Sequence, residues 1–436
     1  MKKILFMMGV AAMALSSCSQ EELVKVNNGK NDDNAISFRV RSYKPARAME
    51  FSTYNLDDFM VFGFKGSPDD GDELISYFDG GLPVKFSRGN DLLFTSATPY
   101  YYPVDGSWLY FAAYAPSTLT GVESFGTLGG IKIDGFTVDP DITKQIDIIC
   151  ANGGSNLEPD EPDQELTFTH ALTKVFVSEV ANTDTRYKYE IIGVKFGNIH
   201  NSGDYEYRGD KAFDDVIRNG VFAEDGFIQD FTGNGHFWKP AGEQNGEMTY
   251  IFAEPVVLDK TTTRADVMSG DDTEATGEEA NGAFMLIPQQ LSAAFLNDEG
   301  TIDSASFTAG MSYIAFLVRI TYLPTGEVIY PYAEGVEAIS KTIGEGDDAI
   351  TYAWAAFPVS SLWVPGSYID YFVDFSKGAG FVAPGASEDF EFKPILGREI
   401  KFTEEVFSWD DGTLITVDQN NQLGVDSGED EDPFGE

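Results

Sequence analysis

The feature that most constrains the fold is a long succession of short segments in which apolar and polar residues alternate, separated by turn residues. β-Branched and aromatic residues are frequent in these segments, which is typical of strands. Helical periodicity is nearly absent, and the longest helical candidate, residues 360–362, is a single turn. The pattern predicts an all-β chain built from β-sandwiches, of which we expect two.

The charge balance narrows the range of partners. The chain has 71 Asp and Glu against 29 Lys and Arg, a formal net charge of −42. A nucleic-acid partner is not expected, because binding to phosphates needs clustered Lys and Arg. Electrostatic docking on anionic lipid is disfavoured for the same reason. Aromatic residues make up 14% of the chain, which indicates packed cores rather than disorder.

The N-terminus has the layout of an export signal. Lys2 and Lys3 precede an apolar run over residues 4–15, which is shorter than the ~20 residues that span a bilayer. The run leads into Leu15-Ser16-Ser17-Cys18, which resembles a bacterial lipobox. We expect residues 1–17 to be a lipoprotein signal peptide and Cys18 to carry acyl chains such as palmitate, which anchor a protein to a membrane. The alternative is ordinary secretory cleavage that leaves Cys18 as a free thiol.

The remaining sequence divides at one acidic, proline-containing segment. Residues 18–47 are predicted to be a leader that contains a first strand, with Ile36, Phe38 and Val40 alternating with polar residues. Residues 48–156 are predicted to form an N-terminal β-sandwich and residues 157–164 a linker. Residues 165–436 are predicted to form a larger C-terminal β-sandwich with an acidic tail.

Several short motifs occur along the chain in an informative order. They are Leu56-Asp57-Asp58-Phe59, Tyr101-Tyr102-Pro103, Trp108 to Pro116, Gln145-Ile146-Asp147, Phe168-Thr169-His170-Ala171-Leu172, and Gly397 to Phe402 followed by Trp409. Together with the lipobox they resemble the fimbrillins of the Bacteroidota. Tyr102 stands where Trp is usual in that family. Ser19-Gln20-Glu21-Glu22 after the Cys looks like the surface-export signal of lipoproteins in the same phylum.

The resemblance implies transthyretin-like β-sandwich domains and a pilus (fimbrium) subunit with an adhesion role. Such a subunit reaches the cell surface as an outer-membrane lipoprotein, where a trypsin-like protease cuts after an Arg of the leader. We predict the cut between Arg47 and Ala48, with Arg39 and Arg41 as other candidates. The cut would release the lipid anchor together with Ile36, Phe38 and Val40.

Assembly by donor-strand exchange is also implied by the resemblance. A strand from a neighbouring fimbrial subunit, in a homo- or hetero-polymer, would fill the groove that the first strand leaves. The candidate donor of this chain is a short strand after Trp409, formed by Leu414, Ile415, Thr416 and Val417. The acidic tail after it makes a meagre donor for a shaft subunit, so a tip, anchor or accessory role stays open.

Residues with catalytic or ligand chemistry form no recognisable motif. The chain has three His and lacks Gly-x-Ser-x-Gly, His-Glu-x-x-His and P-loop patterns, so we expect no enzyme, cofactor or metal site. His170 is predicted to be a packed or hydrogen-bonded residue at a strand start, and Cys150 a small buried hydrophobe. Calcium at the acidic loops 69–73 and 346–348 stays open, as does a host or bacterial glycan on Tyr100, Tyr101 and Tyr102. The alternative function is therefore a surface-anchored monomeric glycan-binding lipoprotein.

Overall fold

A computed structural model of the chain describes residues 35–41, 56–66, 74–89, 93–104, 107–125, 130–155, 163–208, 227–229, 235–268, 282–291, 307–396, 400–408, 415–417 and 423–425. Within these ranges the regular structure consists of strands and single 3₁₀ turns, at Asp79–Gly81, Ile142–Lys144, Glu337–Ile339 and Gly346–Asp348. The predicted all-β class is confirmed. None of the described residues forms an apolar helix of membrane-spanning length.

The strands are numbered in chain order. The first fifteen are β1 (Ser37–Arg41), β2 (Asp58–Lys65), β3 (Ile75–Ser76), β4 (Val84–Arg88), β5 (Leu93–Ser96), β6 (Leu109–Ala115), β7 (Val122–Phe125), β8 (Gly130–Thr137), β9 (Ile149–Ser155), β10 (Asp163–Thr167), β11 (Thr169–His170), β12 (Thr173–Ala181), β13 (Tyr187–Ile199), β14 (Ser202–Tyr207) and β15 (Ile228–Gln229). The others are β16 (His236–Ala241), β17 (Gly246–Leu258), β18 (Arg264–Asp266), β19 (Phe284–Leu286), β20 (Gln289–Gln290), β21 (Tyr313–Tyr322), β22 (Glu327–Tyr330), β23 (Ser340–Ile343), β24 (Ile350–Pro358), β25 (Leu362–Trp363), β26 (Ser367–Asp374), β27 (Phe381–Val382), β28 (Lys401–Ser408), β29 (Ile415–Val417) and β30 (Leu423–Val425).

The first sheet has the order β10-β1-β5-β4-β2-β6-β9-β11, with β3 beside β2. One face of its strands encloses a cluster that we call the first core. Its members are Ile36, Phe38, Leu56, Phe59, Val61, Phe78, Val84, Phe86, Phe94, Tyr102, Leu109, Phe111, Ala113, Ala115, Ile149, Ala151, Leu166 and Phe168. Strand β6 is buried at all seven positions because its other face packs against the second part of the chain. This explains why its sequence is a continuous apolar run instead of an alternating one.

The second part of the chain is a β-sandwich. One sheet has the order β17-β13-β21-β24-β23, and the opposing sheet has the order β18-β12-β26-β28. Aromatic side chains fill the space between them: the rings of Phe196 on β13 and Tyr371 on β26 lie 5.9 Å apart. Alternating inward side chains of both sheets thus form one large core.

A third sheet joins residues from both sides of the predicted linker. Its order is β15-β16-β14-β8-β7, so β7 and β8 from the first half pair with strands of the second half. Strand β10 starts at the end of the predicted linker and belongs to the first sheet. The large core is continuous across this region and contains both Phe62 and Trp238. Strand pairing therefore crosses residues 157–164, which the sequence pattern did not indicate.

Candidate functional site: the first strand and its groove

Strand β1 lies inside the first sheet and has a neighbour on each side. It pairs in parallel with β10, with Phe38 opposite Gln164, and antiparallel with β5, with Phe38 opposite Phe94. Among the described residues β1 is the only strand with which β10 pairs. Removal of β1 would therefore leave unpaired backbone groups on both β5 and β10, in the interior of the sheet.

The apolar side chains at positions 36, 38 and 40 face the first core as the sequence predicts, but the alternation is incomplete because Ser37 is buried as well. Ile36 is 1% exposed, Phe38 is fully buried, and Val40 is half-buried against the first core. Arg39 is exposed on the opposite face. Burial of an Ile or Phe side chain contributes about 1.5–3 kcal/mol, so β1 stabilises the first core by several kcal/mol from its apolar side chains alone.

Phe38 is the centre of a group of edge-to-face aromatic contacts. Its ring centroid lies 4.7 Å from that of Phe86, 5.2 Å from Phe111 and 5.9 Å from Phe59. The interplanar angles lie between 68° and 88°, which is the arrangement that aromatic quadrupoles favour. The three partner rings come from β2, β4 and β6, so they stay in the molecule if β1 leaves.

The residues at the start of β1 contact Tyr100 and Tyr101, which belong to the tyrosine run considered above as a possible glycan-binding surface. The Ile36 N–H donates to the carbonyl of Tyr100 at 2.7 Å, and Ala35 forms a bridge with Tyr101. The ring of Tyr100 lies 4.5 Å from that of Phe78, and Tyr102 is buried in the first core. Two of the three rings therefore pack inward and do not offer a flat surface to a glycan.

Most of the other predicted site residues lie outside the described residues. Cys18, Arg47, Ala48 and Leu414 belong to this group, as does the acidic loop 69–73. Ile415, Thr416 and Val417 form β29, which pairs with β30 as a two-stranded ribbon. Their role as a donor and the removal of β1 stay predictions. The described residues contain no cluster of three or more His, Cys, Asp or Glu that is placed to hold a metal ion.

Beside the groove, β10 leads into a buried polar network that sequence reasoning missed. Asp147 Oδ2 lies 2.9 Å from His170 Nδ1, and both residues are buried. His236 is fully buried, with Nε2 2.8 Å from the Thr169 hydroxyl and Nδ1 2.8 Å from the Tyr205 hydroxyl. Burial and the neighbouring His170 lower the pKa of His236 to about 3. The predicted packing of His170 is confirmed. The rest of the network could not be predicted, because its residues lie far apart in the sequence and form no local motif.

Cys150 lies in the same network and is buried, as predicted. The Tyr205 hydroxyl donates to its sulfur at 3.2 Å. Burial raises the pKa of the thiol to about 12, so the sulfur stays protonated and is a poor nucleophile. The network fixes β9, β11, β14 and β16 against each other and lacks an activated nucleophile.

A partly buried carboxylate on strand β28 is the second feature that the sequence did not reveal. Glu404 accepts a hydrogen bond from the Ser361 hydroxyl at 2.5 Å. Burial raises the pKa of Glu404 to about 7, although Ser361 and Tyr371 donate to it. Strand β28 is the edge of its sheet and has β26 as its partner. Among the described residues, this titrating group lies on the last long strand before the candidate donor.

Comparisons with known proteins identify the family. The sequence profile of the fimbrillin-like family matches residues 47–316, so β1 lies before the matched region. A fimbrial protein from Bacteroides vulgatus ATCC 8482 is 14% identical, with a TM-score of 0.45, over 86% of this chain and 99% of that chain. A fimbrilin from Porphyromonas gingivalis W83 is 9% identical, with a TM-score of 0.37, over 86% of this chain and 98% of that one. No curated protein sequence matches. Because the profile covers more than half of the residues, the chain belongs to the fimbrillin-like family.

Proposed function

We propose that this protein is a structural subunit of a surface fimbrium, exported as a lipoprotein and assembled by donor-strand exchange, with a role in adhesion. Membership of the fimbrillin-like family supports assembly with other fimbrial subunits at the cell surface and a non-enzymatic role. The observation that carries the proposal is the place of β1, which fills the interior of the first sheet yet comes from the predicted leader.

The proposed order of events begins at the lipid anchor. Acyl chains on Cys18 hold the subunit at the outer membrane until a trypsin-like protease cuts between Arg47 and Ala48. The cut frees the leader, and β1 is then held only by the contacts described above. Its departure opens an apolar groove lined by Phe59, Phe86 and Phe111.

An entering strand restores what the groove lacks. Its backbone pairs with β5 and β10, and its alternate side chains refill the first core. The contact is head-to-tail, because the groove and the donor are different parts of the chain, and such contacts need not close into a ring. Contacts of this kind between successive subunits, identical or different, therefore generate a filament. The candidate donor, Leu414 to Val417, lies after edge strand β28, at the far end of the chain from β1.

The test is N-terminal sequencing of the surface-assembled form combined with an Arg47→Ala variant. We expect a new N-terminus at Ala48, SDS-resistant ladders of the natural protein, and neither of these for the variant. Arg41→Ala is the matched control and should mature normally. Normal ladders from a chain that keeps its leader would contradict the proposal, whereas a new N-terminus near residue 40 or 42 would move the cut to Arg39 or Arg41.

A further inference from the structure

The groove in the first sheet is most selective for the side chains of an entering strand at its centre, where Phe38 lies. The ring of Phe38 is surrounded by Phe59, Phe86 and Phe111, each of which is itself 0% exposed. We call these three rings the Phe38 socket. A fully enclosed socket of rings adapts poorly to a smaller guest, because a side chain that is too short leaves a cavity and loses the edge-to-face contacts.

The positions on either side of the socket accept aliphatic side chains. Ile36 fills one and the half-buried Val40 fills the other. Successive inward positions on a strand are two residues apart, so the groove fits the pattern aliphatic-x-aromatic-x-aliphatic. The pattern has its aromatic residue in the middle, and the groove has one parallel and one antiparallel border. A strand that enters in the orientation of β1 therefore places its middle inward residue in the Phe38 socket.

The candidate donor of this chain does not have this pattern. Its most apolar alternate set is Thr413, Ile415 and Val417, with an Ile at the centre. Residues 410–425 include no aromatic residue. A copy of this segment in the groove would place an aliphatic side chain in the Phe38 socket and leave part of it empty.

We infer that the groove accepts the donor strand of a different subunit, one with an aromatic residue two positions from an aliphatic residue on each side, in preference to residues 410–425 of a second copy. This inference rests on the proposed strand exchange and names the partner's chemistry. It assigns Phe59, Phe86 and Phe111 the role of specificity-determining residues. The protein then receives a heterologous neighbour at this end and does not extend a chain of identical copies through it.

Peptide exchange tests the inference on the full chain. A specific protease site is placed within residues 42–47, and the protein is cut there so that β1 stays bound without a covalent link. Fluorescent peptides are then added in excess: residues 33–43, the same peptide with Phe38→Ala or Phe38→Leu, residues 410–420, and the last peptide with Ile415→Phe. Incorporation is measured by anisotropy and size-exclusion chromatography.

We expect the 33–43 peptide to replace β1 and the Phe38→Ala peptide to bind at least about tenfold more weakly, a difference of ~1.4 kcal/mol. The Phe38→Leu peptide should fall between them, which separates an aromatic requirement from a size requirement. The 410–420 peptide should bind weakly, and its Ile415→Phe form should bind at least about tenfold more tightly than its parent.

The outcomes separate the two proposals. If the 33–43 peptide does not exchange, the replaceable strand is refuted and the inference falls with it. If it exchanges but the Phe38→Ala or 410–420 peptide binds equally well, the socket is not selective, while strand exchange stands.

A second measurement needs no cut. In the intact chain, residues 36–40 are replaced by the sequence of residues 413–417, with and without restoration of Phe at position 38. We expect a lower Tm for the graft and a partial recovery with Phe. Equal Tm values for both grafts and the natural chain would overturn the inference.

Discussion

Strands β1 and β13 both lie in the interior of a sheet, but they are held in different ways. Strand β13 has thirteen residues and pairs with β17 on one side and β21 on the other along almost its entire length. Strand β1 has five residues, and its pairing with β5 is confined to Phe38 and Arg39. The sandwich strand is fixed by backbone and side chains together. The leader strand pairs with β10 along all five residues but with β5 at only two, so its backbone is held less completely than that of β13. This difference supports its proposed replacement by another peptide.

The largest expected effect comes from removing one buried phenylalanine from each of these two strands. Phe38→Ala and Phe196→Ala each remove a fully buried ring and should each cost about 3–5 kcal/mol. We expect Phe38→Ala to speed hydrogen exchange of the β1 and β10 amides while the amides of the β-sandwich that contains β13 stay protected. Phe196→Ala should loosen β13 and β26 and leave β1 protected. Uniform loss of protection in both variants would show that the two regions unfold as one unit and would remove the contrast.

The next effect concerns the edge strand β28. The pKa of Glu404 is raised from 4.5 to about 7 in the fold, so its contribution to stability falls as pH rises from about 4.5 through 7. We expect Glu404→Gln to flatten this dependence and to stabilise the protein at pH 8 by on the order of 2 kcal/mol. Urea unfolding at pH 5 and pH 8 measures the difference. Glu327→Gln, at the exposed first position of strand β22, is the control and should stay within about 0.5 kcal/mol at both pH values.

A smaller effect of opposite sign is expected at the polar network next to β10. The pKa of His236 is lowered from 6.5 to about 3, so its contribution is complete above pH 6.5 and is lost as pH falls toward 3. His236→Gln removes the titrating group. We expect the natural chain to be more stable than the variant at pH 7 by about 1–2 kcal/mol, with the gap narrowing by pH 4. A gap that is constant with pH would contradict the assignment of a neutral, buried His236.

The smallest effect is expected at exposed ion pairs, which occur in both regions. Lys85 Nζ lies 2.6 Å from Asp58 Oδ2 in the first sheet, and Arg264 pairs with Glu179 in the β-sandwich of the second part of the chain. Lys85→Met and Arg264→Met should each cost less than about 1 kcal/mol in thermal unfolding. A larger loss at either pair would mean that surface charge, and not core packing, distinguishes the two regions.

The alternation of side chains made the strands predictable, because a half-buried strand has a period of two. Ile36 and Phe38 were placed on the buried face for that reason. The pairing of strands was not predictable: β1 meets β10 through residues more than a hundred positions apart, and nothing local encodes that register. The same holds for the sheet that joins β8 to β14, and for Asp147, His170 and His236, whose contacts depend on the assembled fold. The Phe38 socket was not predictable either, because its rings come from three separate strands.

The central claim, that β1 must leave its place for assembly, is tested most directly by locking it there. Arg39 and Leu93 lie opposite each other on antiparallel β1 and β5, a spacing suited to a disulfide. With Arg39→Cys and Leu93→Cys, we expect the oxidised protein to be cut by protease but to retain its leader and to form no ladders. Reduction should restore ladder formation to the level of the natural chain. Equal assembly of the oxidised and reduced forms would contradict the claim.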